Sequence, residues 1–226
     1  MYINSKLKYK QEFFTNASHE LNTPLSSVLG YSEMLLTEKR YNESFLTTIY
    51  DEASRMKLLI EDMLKISEIE ESKEIIDEEF DLKSIIEQVV SAALPKAKNK
   101  NITLNAYLES CVIFASPKKI TEAISNLVDN AIKYTNGGGR VIVRLKPEDG
   151  KAVFSVQDTG VGIPEKDHNR IFERFYRVDK GRTKSEGGTG LGLAIVKHVC
   201  NHYNAPIKLQ SKEGSGTEIT IAFNMK

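Results

Sequence analysis

Over the first third of the chain, apolar residues recur in steps of three and four. From about Asn4 to Leu36 they fall at Phe14, Ala17, Leu21, Leu25, Val28, Tyr31 and Leu35, a heptad-like stripe on one helix face. Thr37 to Asn42 is polar and predicts a turn. A second stripe follows at Ile49, Ala53, Met56, Ile60, Met63 and Ile66. Two long helices with a short connection predict an antiparallel hairpin. One hairpin has a narrow seam and little to bury it against. Pairing with a second copy would complete a four-helix bundle, so a homodimer is expected.

The pattern then changes. Glu68 to Asp81 is acidic and polar, with Glu68, Glu70, Glu71, Glu74, Asp77, Glu78 and Glu79, and it predicts a linker. After it, helical and strand periods alternate. Helices are predicted over Leu82–Lys98, Pro117–Tyr134 and Leu191–Tyr203, the second with Ser116 as N-cap and Pro117 at its first position. Short strands are predicted over Ile102–Leu108 and Val112–Phe114. Arg140–Lys146 and Lys151–Gln157 form a hairpin about the turn Pro147-Glu148-Asp149-Gly150, and Ile207–Ser211 and Glu218–Phe223 form a last strand pair. The expected fold is multi-domain: an all-α helical hairpin, then an α/β sandwich with helices on one face of a mixed sheet. The expected boundaries are residues 1–69 for the hairpin, 70–81 for the linker and 82–226 for the second domain.

Composition narrows the classes. The 226 residues suit two small domains. Lys+Arg and Asp+Glu balance at 31 each, which gives no general attraction to nucleic acid or anionic lipid. Two cysteines, Cys111 and Cys200, are too few for a disulfide framework or a zinc site, and are read as plain reduced thiols. No run approaches the roughly 18 apolar residues that span a membrane. The abrupt opening at Met1-Tyr2-Ile3 is that expected of a piece of a longer protein, with Met1 an added start.

Four segments carry candidate chemistry. His19 sits roughly 200° round its helix from Leu21, opposite the seam, and is expected to be exposed. An imidazole is a competent nucleophile toward phosphorus, and Glu20 beside it can accept the ring proton. Pro24 should kink the helix there. Taken alone, His19 also fits a plain solvated histidine. Asn126 and Asn130 lie four apart on one helix face, with amide oxygens suited to Mg²⁺ and Lys133 near enough to reach a phosphate; a polar surface stripe is the alternative. Asp158-Thr159-Gly160-Val161-Gly162-Ile163-Pro164 follows a strand, where glycines let backbone approach a ligand and a strand-end carboxylate can accept from an exocyclic amine; a tight capped turn is the alternative. Gly187-Gly188-Thr189-Gly190-Leu191-Gly192-Leu193 opens a helix and offers amides to an anion. It is neither a P-loop nor a dinucleotide fingerprint. Between them, Tyr176 to Thr189 lacks apolar period and holds Arg177, Lys180, Arg182 and Lys184 with Gly181, Gly187 and Gly188, as a lid would. Phe172 and Phe175 are expected to be packing that anchors it.

The conjunction and order of these segments resemble the catalytic core of bacterial sensor histidine kinases. Ser18 to Leu25 resembles the H box, Asn126 to Tyr134 the N box, Asp158 to Pro164 the G1 box, Ile171 to Arg177 the F box and Gly188 to Leu193 the G2 box. Gly214-Ser215-Gly216-Thr217 resembles the last glycine turn. The resemblance covers nearly the whole chain and implies a Bergerat-type ATP-binding domain of the kind shared with gyrase, mismatch-repair and heat-shock-chaperone ATPases.

The resemblance implies these roles. His19 would be the phospho-acceptor and Glu20 its general base. Asn130 would bind Mg²⁺, with Asn126 close to metal and phosphates. Lys133 would touch phosphate and Tyr134 would lie along the nucleotide. Asp158 would read the adenine amine of ATP, with Gly160 and Gly162 making room for the base and Thr217 near it. Arg177 would assist at the transferring phosphate. Gly188, Gly190, Leu191 and Gly192 would shape the lid end and phosphate cradle. Thr23 matches the residue that positions water for dephosphorylating the partner, a response regulator receiver domain. The implied setting is the cytoplasmic part of a membrane sensor, attached only through a sensor region outside this chain.

There are departures. Asn22 stands where Arg or Lys is common, which puts in doubt how the acceptor helix engages ATP or partner. Asn204-Ala205 replaces a frequent Gly-Gly and should change only a turn. Three other readings compete. A hydrolytic ATPase of the same fold would place a water-activating Glu where Asn126 stands. A regulatory module or phosphatase would not need the intact Asn130, Asp158 and glycine boxes for catalysis. A serine kinase with the related ATP domain would not need the His19 hairpin.

Overall fold

The computed structural model describes residues 2–38, 41–71, 76–178 and 188–226. Helices α1 (Tyr2–Glu38) and α2 (Glu43–Glu71) form the expected antiparallel hairpin. Helix α1 continues through Pro24. Ala17, Leu59 and Ile66 are buried in the seam, with Phe13, Leu21 and Met63 packed against it. Tyr31 and Phe45 close its far end, ring centroids 5.1 Å apart.

The second stripe differs from its prediction by one position. Leu59 is 1% exposed and Ile60 45%. Ile60 lies instead on an outward face with the exposed Leu46, Tyr50 and Leu64, and α1 exposes Leu25, Leu29 and Leu36. Both helices are thus apolar on more than the seam, so period alone could not decide which stripe faced inward. Likewise Phe14, expected in the seam, is exposed, while Phe13 turns toward the second domain.

The second domain holds a five-stranded sheet in the order β2-β4-β5-β7-β6. Its strands are β2 (Thr103–Leu108), β4 (Arg140–Glu148), β5 (Lys151–Asp158), β6 (Ile207–Ser211) and β7 (Thr217–Asn224). β2 and β4 are parallel and the other pairs antiparallel, so the sheet is mixed as expected. Helices α3 (Leu82–Asn99), α4 (Pro117–Tyr134) and α5 (Gly192–His202) cover it. The core lies between them, where Ile86, Ile124 and Ile195 meet Val143, Phe154 and Ile221.

Three local findings refine the sequence reading. The expected linker is partly structured, because Glu78–Asp81 forms strand β1, antiparallel to β3 (Val112–Ala115). Asp81 explains why. Its carboxylate caps α3 through Lys83 N at 3.0 Å and also accepts from Ser110 Oγ at 2.7 Å and Cys111 N at 3.0 Å. Ser116 occupies the N-cap of α4 but its side chain makes no cap bond; its N–H donates to Tyr203 Oη at 2.9 Å. The β4–β5 turn is shorter than expected. Pro147 and Glu148 stay in the strand, and Asp149 (φ 49°) and Gly150 (φ 73°) make the reversal. Strand β2 ends opposite Leu145, so Pro147 lies beyond its pairing.

Candidate functional site

The site lies where α4, the loop after β5 and the loop before α5 converge. On α4, Asn126, Asn130, Lys133 and Tyr134 are half-buried along one face, while Ile120, Ile124, Leu127 and Ile132 anchor the other in the core. Lys100 holds the end of this helix. Its ammonium donates to the Ile132 carbonyl at 3.2 Å and also to that of Lys133. The glycine loop lies directly on the Asn126 and Lys133 positions. A Cβ at Gly192 would sit 2.6 Å from Asn126 Oδ1, and one at Gly188 would collide with Lys133 Nζ. Asn126 Nδ2 donates to the Glu122 carbonyl at 2.8 Å, which orients Oδ1 toward that loop. Lys133 Nζ stands 5.1 Å from the Tyr134 ring centroid.

Asp158 ends β5. Its Oδ1 accepts from Gly160 N at 2.8 Å and Thr217 N at 3.2 Å, which leaves Oδ2 to offer a ligand. Burial pushes this carboxyl above its ordinary range, against the pull of those two backbone bonds. Val161 N donates to the Tyr134 carbonyl at 3.2 Å, a contact that a Cβ on Gly160 would obstruct. Gly162 is left-handed at φ 67°, and a Cβ there would collide with the Lys212 carbonyl. Gly214 N donates to Val161 O at 2.7 Å, so this loop and the Gly214–Thr217 turn are one hydrogen-bonded unit.

The F-box segment supports the glycine loop. Phe175 N donates to Gly190 O at 2.9 Å, and Phe175 is buried in the core as expected, while Phe172 is half-buried. Leu191 is fully buried and its N–H donates to the Thr189 hydroxyl oxygen at 3.2 Å. Helix α5 starts at Gly192 rather than Leu191. Arg177 is half-buried. Burial and then Arg55 depress its guanidinium pKa, while Tyr134 and Glu20 oppose them. Lys180, Gly181, Arg182, Lys184 and Gly187 of the expected lid lie outside the described residues.

His19 is exposed, as its helical angle predicts. Glu20 Oε2 lies 3.7 Å from Arg55 Nη2, and Thr23 Oγ1 donates back to the His19 carbonyl at 3.3 Å. Among the described residues, side-chain contacts join the hairpin to the second domain. Phe13 stacks on Phe175 at 5.8 Å between centroids, Arg174 lies 4.8 Å over the Phe13 ring, and Thr189 Oγ1 donates to Asp62 Oδ2 at 2.6 Å. Sequence reasoning missed Phe13, Arg55, Asp62 and Ser211. Arg55 and Asp62 are seven apart and share a face of α2, the one signal that could have found them.

The residues fit an ATP phosphate chain with a hard cation. Gly188 and Gly192 let the loop backbone lie directly against Lys133 Nζ and Asn126 Oδ1, where a Cβ would intrude. Among the described residues no cluster of three His, Cys, Asp or Glu could hold a metal. Mg²⁺ suits this arrangement, since it takes few protein oxygens and completes its shell from phosphates and water.

Two family models match. Residues 115–226 match the histidine kinase-, DNA gyrase B-, and HSP90-like ATPase, and residues 9–72 match the His Kinase A (phospho-acceptor) domain. Sensor protein kinase WalK of Staphylococcus epidermidis is 36% identical over 219 residues, 94% of this chain. The chain spans 36% of that relative's length. Among solved structures, full-length ShkA in complex with AMPPNP is 28% identical with a TM-score of 0.69, covering 95% of this chain and 46% of that one. Histidine kinase ThkA, solved in complex with response regulator protein TrrA, has a TM-score of 0.80 at 22% identity, covers 99% and 64% of the two chains, and shares the fold.

Proposed function

Because this chain belongs to the histidine kinase family, we propose that it is an ATP-dependent protein-histidine kinase that phosphorylates His19 and passes the group to an aspartate of a response regulator. One observation carries the reading: a glycine loop packed directly on Asn126 and Lys133 is joined, through Thr189–Asp62 and Phe175–Phe13, to a hairpin that exposes His19.

In this reading Asp158, with Gly160, Gly162, Tyr134 and Thr217, holds the adenine end. Asn126, Asn130, Lys133 and the Gly188–Gly192 segment hold the phosphates. Mg²⁺, held at Asn130, would neutralise phosphate charge. One His19 ring nitrogen attacks the γ-phosphorus as the bond to ADP breaks, and the other ring nitrogen gives its proton to Glu20. Arg177 stabilises the charge that develops on the transferring group. Its electrostatic neighbours in the structure, Tyr134 of the ATP domain and Glu20 beside the acceptor, support that role.

The outward apolar stripes on α1 and α2 support a homodimer closed by a second hairpin. In this reading the hairpin over residues 1–69 and the ATP domain, which β1 extends back to Glu78, move as units relative to each other to bring the γ-phosphate to His19. Thr23, one turn from His19, supports dephosphorylation of the regulator as a second activity. No helix among the described residues is long and apolar enough to cross a membrane. The setting that the family resemblance implies is the cytoplasmic part of a membrane-attached sensor.

The test is incubation with γ-labelled ATP and Mg²⁺, beside His19→Ala. An acid-labile, alkali-stable label that vanishes in the variant is the expected result. ATP binding without any label on the wild-type chain would overturn kinase activity and favour a phosphatase or regulatory role.

A further inference from the structure

Ser211 closes β6 and faces Thr217 across the β6–β7 pair. Its hydroxyl has three partners. It lies 2.9 Å from the Gly216 carbonyl, 2.8 Å from Ile163 N and 2.8 Å from Thr217 Oγ1. A serine hydroxyl has one hydrogen and two lone pairs. The Gly216 carbonyl cannot donate, so the Ser211 hydrogen points there. The Ile163 N–H can only donate, which fills one lone pair. The remaining contact must therefore run from Thr217 to Ser211. Thr217 thus turns its hydrogen inward, and its oxygen has only lone pairs to offer a ligand. The Thr217 amide is bonded to Asp158 Oδ1 at 3.2 Å, so this acceptor stands beside the carboxylate at the base end of the site.

We propose that Ser211 is a specificity-determining positioning residue: by fixing Thr217 as an acceptor beside Asp158, it makes the pocket select a purine with an amine at C6 over one with a carbonyl. The proposal rests on the reading of Asp158 as the adenine reader. A 6-amino base donates toward both acceptors. A 6-oxo base sets oxygen against oxygen, and a site built to receive a donor rejects an analogue that lacks it. A Thr217 hydroxyl free to rotate would instead donate to the 6-oxo group and blunt the choice. The same Ser211 hydroxyl ties the loop at Ile163 to the turn at Gly216, which keeps Asp158 and Thr217 in register.

The test is calorimetric binding of ADP and of inosine diphosphate to the full chain, as wild type, Ser211→Ala, Ser211→Thr and Thr217→Val. Wild type should prefer ADP. Ser211→Ala should reduce the preference about tenfold, the scale of one hydrogen bond reversed in sense. Ser211→Thr, which restores a hydroxyl, should keep it. Thr217→Val leaves the other two Ser211 bonds in place and should also reduce the preference, so it carries the test if Ser211→Ala does not fold. A wild-type preference that survives in Ser211→Ala, or in Thr217→Val where Ser211→Ala does not fold, overturns the role of Ser211 alone. A wild-type chain with no preference overturns the reading of Asp158, and the proposal with it.

Discussion

Thr189 of the glycine loop donates a 2.6 Å hydrogen bond to Asp62 of α2, tying that loop to the hairpin. The partner is an anion set beside a loop suited to anions. In the proposed phosphate-binding role of that loop, the Asp62 charge should oppose the phosphates.

Asp62→Asn keeps a hydrogen-bond acceptor and removes that charge. The KM for ATP in autophosphorylation should fall roughly two- to fivefold, as expected for one charge in a partly solvated site. Initial rates across ATP concentrations would show it. An unchanged KM would mean that the Asp62 charge does not reach the phosphates.

Two glycines should respond in opposite directions. Gly162→Ala forces a side chain into φ 67° and against the Lys212 carbonyl. It should cost about 2 kcal/mol or more and weaken nucleotide binding. Gly30, inside α1, has nothing within 4 Å of a built Cβ. Gly30→Ala should stabilise the hairpin by about 1 kcal/mol. Thermal unfolding of both variants beside wild type checks the contrast.

Asp158 should trade stability for binding. Burial raises its pKa above the ordinary 3.8. An acid raised in the fold contributes stability below its unfolded pKa, and loses that contribution as pH rises through the folded value. At pH 7 the buried charge is therefore a cost. Asp158→Asn keeps Oδ1 for Gly160 and Thr217 without the charge. The variant should melt higher than wild type at pH 7, and the gap should close as pH falls toward 3.8, while ADP binding is lost. A gap that widens on acidification would contradict this sign.

The cysteines should be inert. Cys111 and Cys200 are both buried, and burial pushes the Cys200 thiol up to about 12. Iodoacetamide at pH 8 should label neither in the folded chain and both in denaturant, read by mass. Rapid native labelling of Cys200 would show that the α5 side of the core opens.

Thr23→Ala should slow dephosphorylation of a phosphorylated regulator about tenfold or more, and leave His19 phosphorylation within about twofold. Among the described residues its hydroxyl bonds only the His19 carbonyl, so the helix should lose little. Parallel losses in both activities would place Thr23 in helix packing instead.

The helices, strands and glycine loops were legible in the sequence because their causes are local. A period of three to four residues, a period of two, and glycine where φ is positive each act within a few residues. That sufficed for Pro117–Tyr134, for an exposed His19 and for the loops at Asp158 and Gly188. It failed at Leu59 and Ile60, where both sides of α2 are apolar, and at Glu78–Asp81, where polar residues pair with β3 because Asp81 is bonded across to Cys111. The meetings of distant side chains carried no such signal. Asp62 reaches Thr189 across 127 residues of chain, and Ser211 reaches Ile163 across 48. Residue type and spacing therefore set the inventory of the site. The direction of each hydrogen bond, and which helix the glycine loop rests on, came only with packing, because those follow from the relative placement of elements whose local preferences are indifferent to it.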